Sequence, residues 1–453
     1  MGQEKLLIRQ ENFGYLLYSI PMKCYYTVKN NGEFIVSTVL NNLRNGKDVF
    51  EQIDAQYLSE LKKVGFDNNI RVLDHRNKVS RQLFAPLEYY FDFSNKCNLR
   101  CPHCYNSKHL GKITMPEESV SAIIDEMYDL GVMRLHLAGG EPTIEKKGIA
   151  NYLSTAKKHN IVTSMATNGT LLTDEMCEIL LGNDMFAISI SLDGYDEETN
   201  NKRRGEGFFS VTVDGVRRLI KKRDEMGKKT EICLKPIYEY NTSLNFFDRM
   251  TEFAISLGVD KIKFSNPERS VNHELGYYGK HIEPYYEKLN YISELQVKYK
   301  GKIAILNVTN PIEGCFAIGL KEMRGCIGGQ ELLTINPDGR ITPCLMNDTE
   351  LGDYFDYRSI NKFLLTSKAL TNYISSIQYE PCFDCEAYSM CRGGCQVRKR
   401  VEYGKIQFKD PYCPMEYNKA ELKKLYEIDS DIFDCVCCLL YTSPSPRDMR
   451  RSR

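Results

Sequence analysis

The chain has 453 residues, enough for a catalytic domain with smaller domains attached. Its 60 Lys plus Arg are matched by 60 Asp plus Glu, so no net charge favours nucleic acid or an anionic membrane surface as a partner. There is no apolar run of about 18 residues and no basic flank before an apolar N-terminal stretch, so no membrane partner is expected and a cytoplasmic location is. The 17 cysteines lie mostly in tight local clusters within a large ordinary chain, which argues for metal or iron–sulfur ligation in a reducing compartment over a disulfide scaffold.

Residues 1–80 read as a small module. Tyr15 to Ser19 and Cys24 to Lys29 form a hairpin pattern. Phe34, Ile35, Val39 and Leu43 recur at helical spacing, Gly46 stops that helix, and Val49, Phe50 and Ile53 open another ahead of Tyr57, Leu58 and Leu61. Two strands followed by three short helices make a winged-helix-like unit.

Over residues 85–305 strands alternate with amphipathic helices. Strands are expected at Tyr89–Phe93, Met133–Ala138, Ile161–Thr167, Phe186–Leu192, Glu231–Lys235 and Lys261–Ser265, with helices such as Glu117–Leu130 and Val211–Met226 between them. Such βα repeats build a parallel sheet, open or curled into a partial barrel, with reactive residues past the C-terminal strand ends.

Residues 310–437 are richer in cysteine and poorer in pattern. Leu332–Ile335 and Arg340–Pro343 flank Asn336-Pro337-Asp338-Gly339, a hairpin signal, in a small domain stapled by metal centres. Cys438 to Asp448 read CLLYTSPSPRD, which one frame of a transposase sequencing adapter encodes in full. Residues 438–453 are therefore expected to be artefactual, with the true C-terminus missing; a natural Ser/Pro-rich tail is the alternative.

Directly after the first strand stands Cys97-Asn-Leu-Arg-Cys101-Pro-His-Cys104. One loop with this spacing wraps three corners of an iron–sulfur cubane and leaves one iron without a protein ligand. A zinc site with a distant fourth ligand is the alternative. Gly139-Gly140-Glu141-Pro142 ends the second strand, where two glycines let the backbone approach a ligand and Glu141 offers an acceptor to an ammonium group. An ordinary turn is the bland reading of the same four residues.

The cysteine triplet, this turn, Thr167-Asn168-Gly169 and Ser189-Ile-Ser191-Leu-Asp193-Gly194 together resemble the radical S-adenosylmethionine (SAM) enzymes. The resemblance implies a partial (β/α)6 barrel in which a 4Fe-4S cluster on Cys97, Cys101 and Cys104 binds SAM. Carried over by position, Gly139, Gly140, Glu141, Asn168, Ser189, Ser191 and Arg204 would hold SAM, and Tyr105 would shield its adenine. Ser189 and Ser191 also read as small polar residues finishing a strand.

The later series Cys326, Cys344, Cys382, Cys385, Cys391, Cys395 and Cys413 resembles the SPASM extension of that family, which carries auxiliary iron–sulfur clusters. By resemblance Cys382, Cys385, Cys391 and Cys413 hold one cluster and Cys326, Cys344 and Cys395 another. Cys315 either completes the second set or leaves an open iron there. Structural zinc knuckles are the alternative for these thiols. Cys24, Cys177, Cys233, Cys435 and Cys437 fall outside any such register and read as ordinary thiols.

The N-terminal stretch Glu11-Asn-Phe-Gly-Tyr-Leu-Leu-Tyr18 resembles the leader-recognition element of ribosomal-peptide maturases, which binds a leader as an added strand; a structural cap or a nucleic-acid-type winged helix is the alternative. The expected activity is SAM cleavage to a 5′-deoxyadenosyl radical that modifies a precursor peptide by thioether or carbon–carbon cross-linking. A low-potential donor such as flavodoxin or ferredoxin supplies the electron. One rival is an anaerobic sulfatase-maturing enzyme, disfavoured by Leu345 where that group commonly has a carboxylate after the cysteine. Another is a non-catalytic iron–sulfur regulatory or binding protein.

Overall fold

The computed structural model describes residues 4–28, 32–67, 69–81, 83–266, 282–307, 326–377, 382, 384–385, 391–413 and 433–435. Cys315, Cys437 and residues 438–453 lie outside these.

The N-terminal sheet is built on β1 (Leu6–Glu11), β2 (Gly14–Ser19) and β3 (Cys24–Val28), an antiparallel meander. β4 (Ile70–Asp74) pairs parallel to β1, and β15 (Phe433–Cys435), from near the other end of the chain, pairs antiparallel to β3. Helices α1 (Gly32–Arg44) and α2 (Ala55–Val64) cover one face, where Leu6, Ile8 and Leu17 meet Ile35, Val36, Val39 and Leu61.

The expected hairpin and first helix are present. The expected winged-helix-like plan of two strands and three helices is not: among the described residues this sheet has five strands, and Val49 to Gln52 form turns before α2. β1 escaped notice because both of its faces are buried, which removes the polar alternation of a half-exposed strand. Its second face, Leu7 with Leu16, Tyr18 and Tyr25, packs on Leu87, Met133 and Val162 of the main domain.

Arg9 fastens this seat. Its fully buried guanidinium pairs with buried Glu11 at 2.5 Å and donates to the carbonyls of Ala85, Pro86 and Gly131. Tyr25 adds an O–H bond to Gly131 O and accepts from Met133 N.

The main sheet runs β5 (Glu88–Phe91), β6 (Arg134–Leu137), β7 (Val162–Thr167), β8 (Ala187–Ile190), β9 (Glu231–Leu234) and β10 (Lys261–Phe264), all parallel and in chain order, as expected. β11 (Ala304–Asn307) extends it beyond β10. Its first connecting helices are α3 (Glu117–Asp129), α4 (Lys146–Lys158), α5 (Asp174–Gly182), α6 (Glu197–Arg204) and α7 (Phe208–Glu225). α8 (Leu244–Leu257) and α9 (Ile282–Lys298) follow.

Tyr89, Phe91, Leu135, Leu137, Ile188 and Leu234 pack into the core beneath these helices. Strand alternation puts Tyr90, His136, Ser164, Ser189 and Lys263 on the opposite face, where His136 Nδ1 lies 2.7 Å from Ser164 Oγ.

The Cys-rich region joins the same sheet. β12 (Leu332–Ile335) pairs parallel to β5, and β13 (Arg340–Thr342) returns across the Asn-Pro-Asp-Gly turn to meet β14 (Gly352–Asp353). Gly339 in that turn has φ +93°, which a side chain would strain. α10 (Tyr354–Tyr357), α11 (Ile360–Thr366), α12 (Lys368–Ser376) and α13 (Gln396–Tyr403) follow. Ile341, Ile360, Phe363 and Leu370 merge into the main core, and Glu126 of α3 accepts from the backbone N–H groups of Ile360 and Asn361 at the start of α11.

Cys177 and Cys233 are buried free thiols, as expected; Cys24 departs from that reading and is disulfide-bonded. Among the described residues no helix is long and apolar enough to cross a membrane.

Replacing Arg9 by Met strands a buried carboxylate and is expected to cost about 3–5 kcal/mol, whereas Arg9→Met with Glu11→Gln should lose much less. Burial opposes ionisation of Glu11, but Arg9 and His75 hold its carboxyl below its ordinary value. The pair therefore contributes fully at neutral pH and its contribution is lost as pH falls below the usual carboxylate range. Urea denaturation of the two variants at neutral and acid pH checks both statements.

Candidate active site

The cysteine loop leaves the C-terminal end of β5 and is closed by Asn95. The Asn95 amide donates to His109 O at 2.8 Å and its side-chain oxygen accepts from Ile113 N at 2.9 Å, so the residues between are held as one closed loop. Within it Cys104 N donates to Cys101 O, and Leu99 N lies 3.5 Å from Cys97 Sγ. Burial pushes the Cys97 thiol up to about 11, so bound metal is what would make it a thiolate.

The Gly-Gly-Glu turn after β6 lies directly against this loop. A Cβ on Gly140 would fall 2.0 Å from Lys96 O, and Glu141 N donates to that same oxygen at 2.6 Å. Gly139, at φ +82°, would place a Cβ 2.9 Å from Asp92 Cγ. Burial pushes Asp92 up to about 7, and its Oδ1 accepts Ala138 N, which ties the end of β5 to the end of β6. Tyr105 is half-buried near Asp92 and hydrogen-bonds the Gly139 backbone, so the aromatic assigned to adenine is anchored between loop and turn.

Glu141 is tied into the protein by its own carboxylate. One carboxylate oxygen accepts from Thr143 N, Thr143 Oγ1 and Thr167 Oγ1, and the other from Asn168 N at 2.7 Å. Three donors share one oxygen and one meets the other, so Glu141 is a brace between the β6 and β7 ends that keeps acceptor capacity on its second oxygen. Burial raises its pKa against the pull of those four bonds.

Asn168 donates to Asn98 Oδ1 at 2.8 Å and accepts from Thr170, bridging β7 to the cysteine loop. Ser189 and Ser191 are half-buried at the end of β8, next to Ala166 and Thr167 of β7.

Arg204, the last residue of α6, donates from Nε to Asp193 Oδ2 at 2.5 Å, and its Nη1 lies 3.8 Å from Cys101 Sγ. His103 Nε2 is 3.5 Å from the same Asp193 oxygen. Asp92, Asn95 and Asp193 were not picked out as functional by sequence; their only signal is position, immediately before the first cysteine or inside the Ser-Leu-Asp-Gly stretch.

Among the described residues no three His, Cys, Asp or Glu side chains converge on a single ion position. The three loop thiols are arrayed along one closed loop, a donor set that fits a cubane taking each sulfur on a separate iron and leaving one iron open.

Further along the chain, several of the later cysteines gather around Tyr373 and Asp410, and Cys395 meets both. Burial holds the Tyr373 phenol well above its ordinary value, and Cys326, Cys344 and Cys395 all act on it from nearby. Asn347 donates to that hydroxyl at 3.1 Å. Cys382 lies close to Lys399 and Asp410, and Cys385 N donates to Cys382 O. Asp410 itself accepts from Cys395 N and pairs with Arg398, while Cys413 N donates to its backbone carbonyl. Tyr373 and Asp410 were also unforeseen; Asp410 stands three residues before Cys413.

Gly140→Ala forces Lys96 and the cysteine loop apart, so protein reconstituted anaerobically should lose most iron at that loop and bind SAM at least about tenfold more weakly, a cost of about 1.4 kcal/mol or more. Iron analysis and equilibrium dialysis check this; unchanged SAM binding would contradict the close seat.

Residues 91–242 match the Radical SAM superfamily. The chain is 24% identical to the PqqA peptide cyclase of Granulibacter bethesdensis over 80% of its own length and 97% of that protein's. It is 24% identical to the mycofactocin maturase MftC of Mycolicibacterium smegmatis over 77% and 87%. Its fold is similar to that of Streptococcus suis SuiB, with a TM-score of 0.69, 18% identity and coverage of 91% of this chain and 99% of that one. It is also similar to anSMEcpe with bound AdoMet, with a TM-score of 0.60, 20% identity and coverage of 76% and 97%. The superfamily match spans the cysteine loop, the Gly-Gly-Glu turn and the ends of β7 and β8, the same segments that geometry gathers into one site: the chain is a radical SAM enzyme.

Proposed function

We propose that this enzyme modifies a ribosomally made precursor peptide by thioether or carbon–carbon cross-linking. What supports the reading most is that relatives named for peptide cyclisation and maturation match the chain over nearly their whole lengths, and that SuiB, of the same fold, has been captured with precursor peptide SuiA.

Cys97, Cys101 and Cys104 would hold a 4Fe-4S cluster, which when bound and reduced would supply the electron for splitting SAM into methionine and a 5′-deoxyadenosyl radical. The residues around it orient and shield. Tyr105, held by Gly139, lies beside the adenine position, and Asn168 and Glu141 fix the strand ends that face the sugar and methionine. A new bond between two peptide residues removes two hydrogens. One leaves as an atom to the deoxyadenosyl carbon and the other as a proton, with one electron passing to an acceptor. The later cysteines, near Tyr373 and Asp410, would hold auxiliary clusters, which could accept that electron. Cys326, Cys344 and Cys395 form one set and Cys382, Cys385, Cys391 and Cys413 the other. A low-potential flavodoxin or ferredoxin is the proposed source of the first electron.

The N-terminal sheet is proposed to bind the leader as an added strand. β3 takes a three-residue strand from distant β15, so its edge is competent for such pairing, and a leader would add beyond β15 or take its place. The sheet is seated on Leu87, Met133 and Val162, at the opposite strand ends from the cysteine loop. Seven residues from Leu87 to Phe93 span about 20 Å at roughly 3.3 Å each, so a leader bound there must be followed by at least about six extended residues before the modified one.

With a reductant and SAM the protein should release 5′-deoxyadenosine, and a co-expressed precursor peptide should lose two hydrogens per linkage by mass spectrometry. Cys101→Ala should abolish both. Cys344→Ala should still cleave SAM yet leave the peptide unlinked. No deoxyadenosine from protein with a full iron complement would refute SAM cleavage, and an unaltered peptide beside normal deoxyadenosine release would refute the peptide assignment.

A further inference from the structure

Arg204, a candidate for holding SAM, already uses two of its guanidinium nitrogens within the protein. Its Nε is held on Asp193 at 2.5 Å and its Nη1 points at Cys101 Sγ, 3.8 Å away. Asp193 is itself fixed on every side: its second oxygen accepts Ile237 N at 2.9 Å, its own N–H donates to Asn200 Oδ1, and its side chain is fully buried. The helix carrying Arg204 ends there, at Gly205 with φ +99°, so the guanidinium comes off a fixed helix end. The result is a buried ion pair whose cationic half touches a sulfur of the first cysteine loop and whose anionic half lies one atom group behind.

We propose that Arg204 and Asp193 set the reduction potential of the cluster on Cys97, Cys101 and Cys104, acting in opposite directions. Reduction adds one negative charge to the cluster. A guanidinium N–H on a ligand sulfur stabilises that charge and raises the potential. The Asp193 carboxylate opposes it, and in a site shielded from water neither effect is damped as it would be at the surface. Both residues are positioning groups that act through Cys101; neither needs to touch SAM or the peptide. The inference depends on the cluster and not on which peptide is modified.

The test is a redox titration of anaerobically reconstituted full-length protein followed by electron paramagnetic resonance, reading the reduced-cluster signal that changes when SAM is added, which separates it from any auxiliary cluster. Arg204→Met should shift that midpoint to more negative potential, Arg204→Lys should restore part of the loss, and Asp193→Asn should shift it to more positive potential. Iron content equal to the parent's shows that the cluster is intact. If Asp193→Asn loses iron, the Arg204→Met and Arg204→Lys pair decides alone. Midpoints that stay at the parent value in Arg204→Met, or that move the same way in Arg204→Met and Asp193→Asn, overturn the proposal.

Discussion

A single methyl group at position 140 would sit 2.0 Å from the carbonyl oxygen of Lys96. The cysteine loop after β5 and the turn after β6 can therefore touch only while that residue is glycine. From this contact the rest of the site follows. Glu141 is brought inward, where its carboxylate gathers Thr143, Thr167 and Asn168 and so fixes the end of β7 to the end of β6. Asn168 then reaches back to Asn98, and the loop is held from both sides. A site that handles a radical needs its parts fixed before the reaction starts, and here hydrogen bonds within the protein fix them.

The division of labour along the parallel sheet is equally physical. Helix-facing positions of β5 to β10 are large and apolar, and they make one core that extends without a break into the Cys-rich region through β12. The other face carries Tyr90, His136, Ser164, Ser189 and Lys263, groups suited to contact with a polar substrate. The N-terminal sheet sits beneath the opposite strand ends on a buried Arg9–Glu11 pair, so recognition and chemistry, if the leader binds there, are separated by the height of the sheet.

Much of this was legible in the amino-acid order. Six strands were found within a few residues of their observed ends because each carries a short apolar run bounded by turn residues, and the cysteine spacing pointed to the cofactor. β1 was hidden because burial on both faces leaves no alternation, and because its Arg9, Gln10 and Glu11 look like surface residues until their partners are seen. β12 read correctly as half of a hairpin, yet its pairing with β5 joins residues over 240 positions apart, which local pattern does not carry. Arg204 was selected for the right neighbourhood, but its contacts with Asp193 and Cys101 were not legible, since a sequence motif places a residue near a site without saying which atom it meets. Glu141 was chosen as an acceptor for a ligand, and its bracing of the strand ends through Thr143, Thr167 and Asn168 was not legible in the sequence.

The central claim is that the cluster on Cys97, Cys101 and Cys104 has one iron free of protein and that SAM occupies it through its methionine end. Electron–nuclear double resonance on the reduced protein, with SAM labelled with nitrogen-15 at the amino group and oxygen-17 at the carboxylate, reads that bond directly. The account predicts hyperfine coupling from both labels, lost in Cys101→Ala. A reduced cluster that shows neither coupling while SAM is demonstrably bound would contradict it.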